Sequence, residues 1–158
     1  KWIMWKDEWL FWTSEQAERL LAKHSQEILI NIARMNLLPL QGQIDLVDKE
    51  IEIIPGIHVI KAPGHTPGLM ALSVTSEEDQ LLCISDVAIH PIHLTEPEWF
   101  AATDVFPDKV YATRKKLLSR AVLEKSLVMA FHFPFPGLGH ILQKDKGWQW
   151  QPIKEKVK

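Results

Sequence analysis

Short apolar runs separated by turn signals occupy the middle of this 158-residue chain and constrain its fold most strongly. The stretch 51–60 is IEIIPGIHVI, in which Pro55-Gly56, a dipeptide typical of turns, splits two β-branched runs. The runs 69–75 and 80–85 flank the polar segment 76–79, which predicts a pair of neighbouring strands. The sequence therefore predicts β-structure through the middle of the chain.

Helical periodicity is found on both sides of these strands. Apolar residues recur at three- and four-residue steps from Ser14 to about Leu37, which predicts one long amphipathic helix ended by Pro39 and Gly42. A second helix is predicted from Lys109 to Lys125, with Arg114 on its polar face. Short strands are predicted at 127–131 and in the segments ILQK and WQWQPI. Interleaved strands and helices indicate an α/β or α+β layered fold, and no repeat or linker divides it.

The composition excludes several classes of protein. Lys and Arg (18) nearly balance Asp and Glu (20), and a net charge of −2 argues against a nucleic-acid partner. No apolar run approaches the roughly 18 residues of a transmembrane helix, and charges interrupt the start KWIMWKDEWLFW, which is unlike a signal peptide. The one cysteine, Cys83, excludes an intrachain disulfide. It is compatible with a reducing compartment, so a cytoplasmic location is the expectation.

Three polar side chains follow apolar runs at predicted strand ends. His65 lies in PGHTPG, Asp86 ends LLCISD, and His132 ends LVMAFH. Loops at strand ends are where α/β folds collect functional side chains. Imidazole nitrogens and carboxylate oxygens suit zinc, iron or manganese. One such histidine alone is more often structural, but the three together predict a metal site.

These segments resemble the metallo-β-lactamase-fold hydrolases, in particular the branch of methyl parathion hydrolase and the acyl-homoserine lactonases. The matching pieces, which run over essentially the whole chain, are APGHTPGLMALSV, LLCISDVAIHP, RKKLLSRA and MAFHFPFPGLGHI. The resemblance implies half of an αββα sandwich. It also implies a metal-dependent hydrolase that cleaves ester, lactone or phosphotriester-type bonds of a small molecule by attack of a metal-bound hydroxide.

The resemblance assigns a role to each of the three side chains. His65 matches a histidine on the first of two metals, Asp86 matches the aspartate that bridges them, and His132 matches the last histidine, on the second metal. Zinc is the expected metal, and manganese, iron or cobalt are possible because His/Asp sites accept them according to availability.

One motif of the family is missing. HxHxDH, which precedes a segment like KWIMWKDEWLFWT in family members, does not occur in the 158 residues. We therefore expect residues 1–158 to form one unit, the C-terminal part of a domain whose N-terminal part is absent. Three of seven expected ligands predict one zinc or none, and weak or no activity for this chain alone. The alternative is a non-catalytic fragment or interaction module that pairs, through exposed apolar surface, with itself or with the missing half.

Other side chains are candidates for supporting roles. His90 is expected near the substrate mouth and Phe133 in an apolar pocket, with a structural role as the alternative for each. His140 is expected to orient a metal ligand or, equally, to serve a structural role near the last strands. Cys83 is expected to be an inert thiol. Core packing is expected for the tryptophans at 2, 5, 9 and 12.

Overall fold

The computed structural model describes residues 1–21 and 23–154. Its elements in chain order are β1 (Trp2–Trp5), α1 (Lys6–Thr13), α2 (Gln16–Leu20), α3 (Lys23–Leu37), β2 (Ile44–Val47), β3 (Ile51–Ile54), β4 (Ile57–Lys61), β5 (Met70–Ser76), β6 (Asp79–Cys83), α4 (Ile92–Thr95), α5 (Pro107–Glu124), β7 (Leu127–Met129), β8 (Leu138–Gln143) and β9 (Trp148–Pro152). Short 3-10 turns lie at Leu38–Leu40 and Ser85–Val87. The predicted mixed α/β class is confirmed.

Strands β3 to β9 form one sheet in chain order. The hairpins predicted around Pro55-Gly56 and the segment 76–79 are present as the antiparallel pairs β3–β4 and β5–β6. Gly56 has φ +82°, and a side chain there would overlap the Thr75 carbonyl, so the first turn requires glycine. Strands β6 and β7 are parallel and are joined through α5. Residues that follow these two strands therefore emerge at the same edge of the sheet.

The two faces of this sheet differ in burial. Leu82, Val128 and Ile141 lie on one face and pack with α5 residues Leu117 and Leu118, all at most 4% exposed. Side chains alternate along a strand, so the residues between them point to the other face. On that second face, which we call the open face, Val59 and Cys83 are buried, but the other apolar side chains are only half-buried: Met70, Leu72, Val74, Leu81, Leu127, Met129 and Leu138.

The single long helix predicted from Ser14 to Leu37 is wrong. The backbone at Leu21 is extended, and two helices, α2 and α3, lie on either side of it. Helix α3 packs through Ile30, which is 4% exposed, and through Arg34, whose guanidinium donates to the carbonyls of Trp12 and Ser14. This packing leaves most of the predicted apolar stripe in solvent, and Met35 is 76% exposed.

The tryptophan-rich start forms a strand and a helix. Strand β1 pairs in parallel with β2 in a separate two-stranded sheet. Trp5 is buried as expected, Trp9 and Trp12 are half-buried, and Trp2 is exposed, so the core prediction holds fully for Trp5 alone. None of the helices in the described part of the chain has the length and apolarity needed to cross a membrane.

Candidate metal centre

The carboxylate of Asp86 lies between two imidazole rings. Its Oδ1 is 2.9 Å from His132 Nε2, and its Oδ2 is 3.8 Å from His65 Nε2. Two ligands of one tetrahedral zinc lie roughly 3.3 Å apart when each bond is about 2.0–2.1 Å long. The structure therefore brings the three predicted ligands together, with a separate carboxylate oxygen facing each histidine.

The strands explain this convergence. Cys83 in β6 pairs with Met129 in β7. Asp86 lies three residues after Cys83, and His132 lies three residues after Met129. Asp86 occupies the 3-10 turn directly after β6, and the preceding Ser85 donates its hydroxyl to the Met70 carbonyl at 2.6 Å. The turn between β4 and β5 brings His65 to the same edge of the sheet.

A buried carboxylate orients His65. Nδ1 of His65 donates to Asp104 Oδ1 at 2.9 Å, and the Ala101 amide donates to Asp104 Oδ2 at 2.7 Å. The Asp104 side chain is only 3% exposed. With the proton on Nδ1, the lone pair on Nε2 faces Asp86 and is free to bind a metal.

The same contact shifts both pKa values. The hydrogen bond to Asp104 raises the pKa of His65, although burial opposes it. Burial alone raises the pKa of Asp104, but the hydrogen bonds from His65 and Ala101 outweigh burial and hold it below its usual value. Asp104 was missed by the sequence analysis, because nothing distinguishes it locally from other polar residues of the long loop before α5.

A cleft of about 430 Å³ opens over these side chains. His65, Asp86 and His132 lie in its wall together with Thr66 and Thr103. The rest of the lining is apolar and comes from five residues: Trp12, Leu21, Leu29, Ile89 and Val105. A mostly apolar cleft with a few convergent polar groups is typical of a site for a small molecule.

Comparison with known proteins identifies relatives of this arrangement. No family model matches the chain. An N-acyl homoserine lactonase from a Bacillus species is 24% identical over 134 residues, which are 84% of this chain and 48% of the lactonase. The hydrolase AbOPH of the beta lactamase superfamily matches with a TM-score of 0.83 and 27% identity, over 98% of this chain and 55% of its own. AidC, a dizinc quorum-quenching lactonase, matches with a TM-score of 0.86 and 26% identity, over 97% and 54%.

The chain has the metallo-β-lactamase fold. The resemblance inferred from the sequence motifs is confirmed, because the structural neighbours are hydrolases of that superfamily and the sequence relatives are N-acyl homoserine lactonases. The chain spans about half the length of the relatives that it matches.

The described residues do not by themselves form a complete metal site. Within residues 1–21 and 23–154, no group of three or more His, Cys, Asp or Glu side chains converges well enough to hold one metal. His65 and His132 face different oxygens of the Asp86 carboxylate. Asp86 thus offers a separate carboxylate oxygen to each of the two histidines.

Arg114 is buried, contrary to the prediction from the sequence. Its side chain was predicted on the polar face of the helix, yet it is 1% exposed. Burial lowers the pKa of Arg114 to about 10, against the opposing charge of Asp104. The signal was present in the sequence, because Arg114 follows Val110 by four residues and precedes Leu117 and Leu118 by three and four, and these three are buried.

His90 and Phe133 lie outside the cleft lining. The exposed His90 accepts a hydrogen bond from the Ile92 amide at its Nδ1, at 3.1 Å, beside the start of α4. Phe133 is 6% exposed and packs edge-to-face on Trp150, with ring centroids 4.9 Å apart. Neither side chain is among the residues that line the cleft over His65, Asp86 and His132.

His140 lies at the far end of the sheet from the metal centre. Its Nδ1 is 3.1 Å from the Ser126 carbonyl, just before β7, whereas His132 follows the other end of that strand. The structure therefore does not bring His140 to the three ligands. Cys83 is buried, and burial raises the pKa of its thiol, which favours the unreactive form.

Proposed function

We propose that this chain carries part of the active centre of a metal-dependent hydrolase acting on ester, lactone or phosphotriester-type bonds of a small molecule. The observation that supports this most directly is Asp86, which presents one oxygen to His65 Nε2 and the other to His132 Nε2. His65 and Asp86 would hold one metal, and Asp86 and His132 the other. Of the bond types, a lactone is the preferred substrate, because a lactonase is among both the sequence relatives and the structural neighbours.

Zinc is the metal that we propose, with manganese, iron or cobalt as substitutes, because imidazole and carboxylate donors suit all four and one neighbour is a dizinc lactonase. When bound, the metals supply Lewis acidity and lower the pKa of water at the site. The chain's own side chains orient the histidine ligand and limit the access of water. Asp104 keeps the His65 proton on Nδ1, and Trp12, Leu29 and Val105 form an apolar wall that limits access of bulk water.

We further propose that residues 1–158 are the C-terminal part of the functional domain. The match to only about half of each relative supports this division, as does the small number of ligands. The remaining donors would come from a preceding segment with the HxHxDH motif. The chain alone would then bind one zinc or none and hydrolyse substrate weakly or not at all.

Zinc content and lactone hydrolysis test the proposal. Both would be measured for residues 1–158 and for a protein extended by the coding sequence upstream of Lys1. We expect at most one zinc per chain for residues 1–158 and two for the extended protein, with turnover in the extended protein. Asp86→Ala should remove metal and turnover from the extended protein.

His140→Ala is the matched control, since this histidine lies away from the centre, and it should leave both readouts unchanged. Two tightly bound metals in residues 1–158 alone would contradict the proposed division. Full zinc content in Asp86→Ala would contradict the proposed site.

A further inference from the structure

Arg114 is the one fully buried lysine or arginine among the described residues. A buried guanidinium carries a large desolvation cost, and an apolar side chain of similar volume often replaces a buried ion without loss of stability. Its presence in the centre of α5 therefore suggests a contribution other than packing.

The contacts of Arg114 are all to main-chain carbonyls. Nε donates to Val87 at 3.1 Å, and Nη1 donates to Pro97 at 2.6 Å and to Trp99 at 2.7 Å. These acceptors belong to two different stretches of the chain. One guanidinium thereby joins the turn after β6 to the loop that precedes α5.

Each of these stretches leads directly to a group of the metal centre. Val87 follows Asp86 in the chain. Trp99 is close in sequence to Ala101. The Ala101 amide donates to Asp104 Oδ2, and the Asp104 amide donates to the Ala101 carbonyl. Asp104 in turn orients His65. Arg114 thus connects the turn that carries Asp86 with the loop whose Asp104 orients the His65 ring.

We propose that Arg114 is a positioning residue that sets the Asp86–His65 geometry, and with it the metal affinity, without touching either side chain. This inference rests on the proposed function of the site. A lysine cannot reproduce it, because an ammonium is a point charge, whereas the planar guanidinium directs Nε and Nη1 to acceptors on both stretches at once.

The test uses residues 1–158 with Arg114→Met and Arg114→Lys. Two readouts are followed: zinc affinity by chelator competition, and the ¹⁵N–¹H signal of His65 Nδ1 in the metal-free protein. Arg114→Met should weaken zinc binding about 10–100-fold, the range for loss of a residue that supports a metal ligand, and should weaken or remove the Nδ1–H signal. Arg114→Lys should lower the zinc affinity and weaken the Nδ1–H signal less than Arg114→Met does.

Two controls separate positioning from stability. Arg120→Met makes the same substitution on the same helix, at a residue that pairs with Glu124, and should keep zinc affinity within about twofold of the parent. Leu117→Ala removes core packing next to Arg114 and should lower the stability of the fold while both site readouts remain.

A folded Arg114→Met protein with parental zinc affinity and a parental His65 signal would overturn the proposal. So would an equal loss of affinity in Leu117→Ala, because Arg114 would then be merely structural. If Arg114→Met does not fold, parental behaviour of Arg114→Lys in both readouts overturns it. If residues 1–158 bind no zinc, as the proposed division allows, the His65 signal in the metal-free variants alone decides the role of Arg114. If the protein extended upstream of Lys1 binds no zinc either, the proposed function fails.

Discussion

At the scale of single residues, Thr66 carries a buried hydroxyl that has no hydrogen-bond partner among the described residues. An unsatisfied buried polar group costs about 1–3 kcal/mol. We expect Thr66→Val to leave the free energy of unfolding unchanged or to raise it by up to about 1 kcal/mol, as measured by urea denaturation. Thr113→Val is the control: its hydroxyl donates to the Pro63 carbonyl at 2.5 Å, so a loss of about 1–2 kcal/mol is expected. An equal loss in Thr66→Val would mean that its hydroxyl is bonded in solution.

His93 gives the stability of the fold a dependence on pH. Burial lowers the pKa of His93, the charges of Arg114 and His90 lower it further, and Asp104 opposes them. A histidine with a depressed folded pKa stabilises the fold above its unfolded pKa of about 6.5, and this contribution is lost as the pH falls through the folded pKa. His65, whose pKa Asp104 raises, behaves in the opposite way: its contribution is present below about 6.5 and is lost as the pH rises through the folded pKa.

The His93 contribution is isolated by comparing the parent with His93→Gln. Below about pH 6.5, the parent should lose free energy of unfolding more steeply than the variant, by up to about 1.4 kcal/mol per pH unit. Urea denaturation at a series of pH values between about 5 and 8 measures the difference. Parallel curves for the two proteins would contradict the assignment.

The three candidate ligands could be proposed from the sequence, whereas the residues that contact them could not. His65, Asp86 and His132 each follow a local apolar run, and that pattern is visible in a short window. Asp104 lies 39 residues from His65, and nothing near it in the chain indicates that the two meet. Its role arises only when the loop after α4 folds back onto the turn of His65.

At the scale of elements, α1 and the turn of His65 are in van der Waals contact at Gly68. The Gly68 amide donates to Glu8 Oε2 at 3.0 Å, and a Cβ on Gly68 would overlap the Glu8 backbone. We expect Gly68→Ala to lower the free energy of unfolding by about 1–3 kcal/mol, because the helix must move away from the turn.

Gly42→Ala is the control, because at Gly42 the backbone conformation and not the available space limits the substitution. A methyl group at Gly42 meets open space, but φ is +86°, so only backbone strain of about 1–2 kcal/mol is expected. The distinguishing measurement is the environment of Glu8: Gly68→Ala should shift the Trp12 indole signal, since Trp12 Nε1 donates to Glu8 Oε1, and Gly42→Ala should not. Unchanged indole signals in both variants would contradict the proposed displacement.

Strands were predicted better than the helices near the start of the chain for a physical reason. The hairpins β3–β4 and β5–β6 are specified by turn residues that lie between their own strands. The break near Leu21 has no such signal. Arg34 donates to the carbonyls of Trp12 and Ser14, about 20 residues earlier, and so connects α3 to the end of α1, a contact that no short window of sequence reveals.

At the scale of the whole molecule, the large sheet is covered on one side and half-open on the other. Helix α5 packs on the face that carries Leu82 and Val128, and the open face presents apolar side chains to solvent. Extended apolar patches on a soluble chain promote association.

Leu81 and Leu82 test which face of the sheet is open. They are neighbours in β6, but Leu82 is 1% exposed beneath α5 and Leu81 is half-buried on the open face. We expect Leu82→Thr to lower the free energy of unfolding by about 2–5 kcal/mol, whereas Leu81→Thr should cost less than about 1 kcal/mol. If the open face drives association, sedimentation velocity at rising concentration should show oligomers of the parent that Leu81→Thr reduces. Oligomers that persist unchanged in Leu81→Thr would place the association surface elsewhere, and a large stability loss in that variant would mean that the face is already covered.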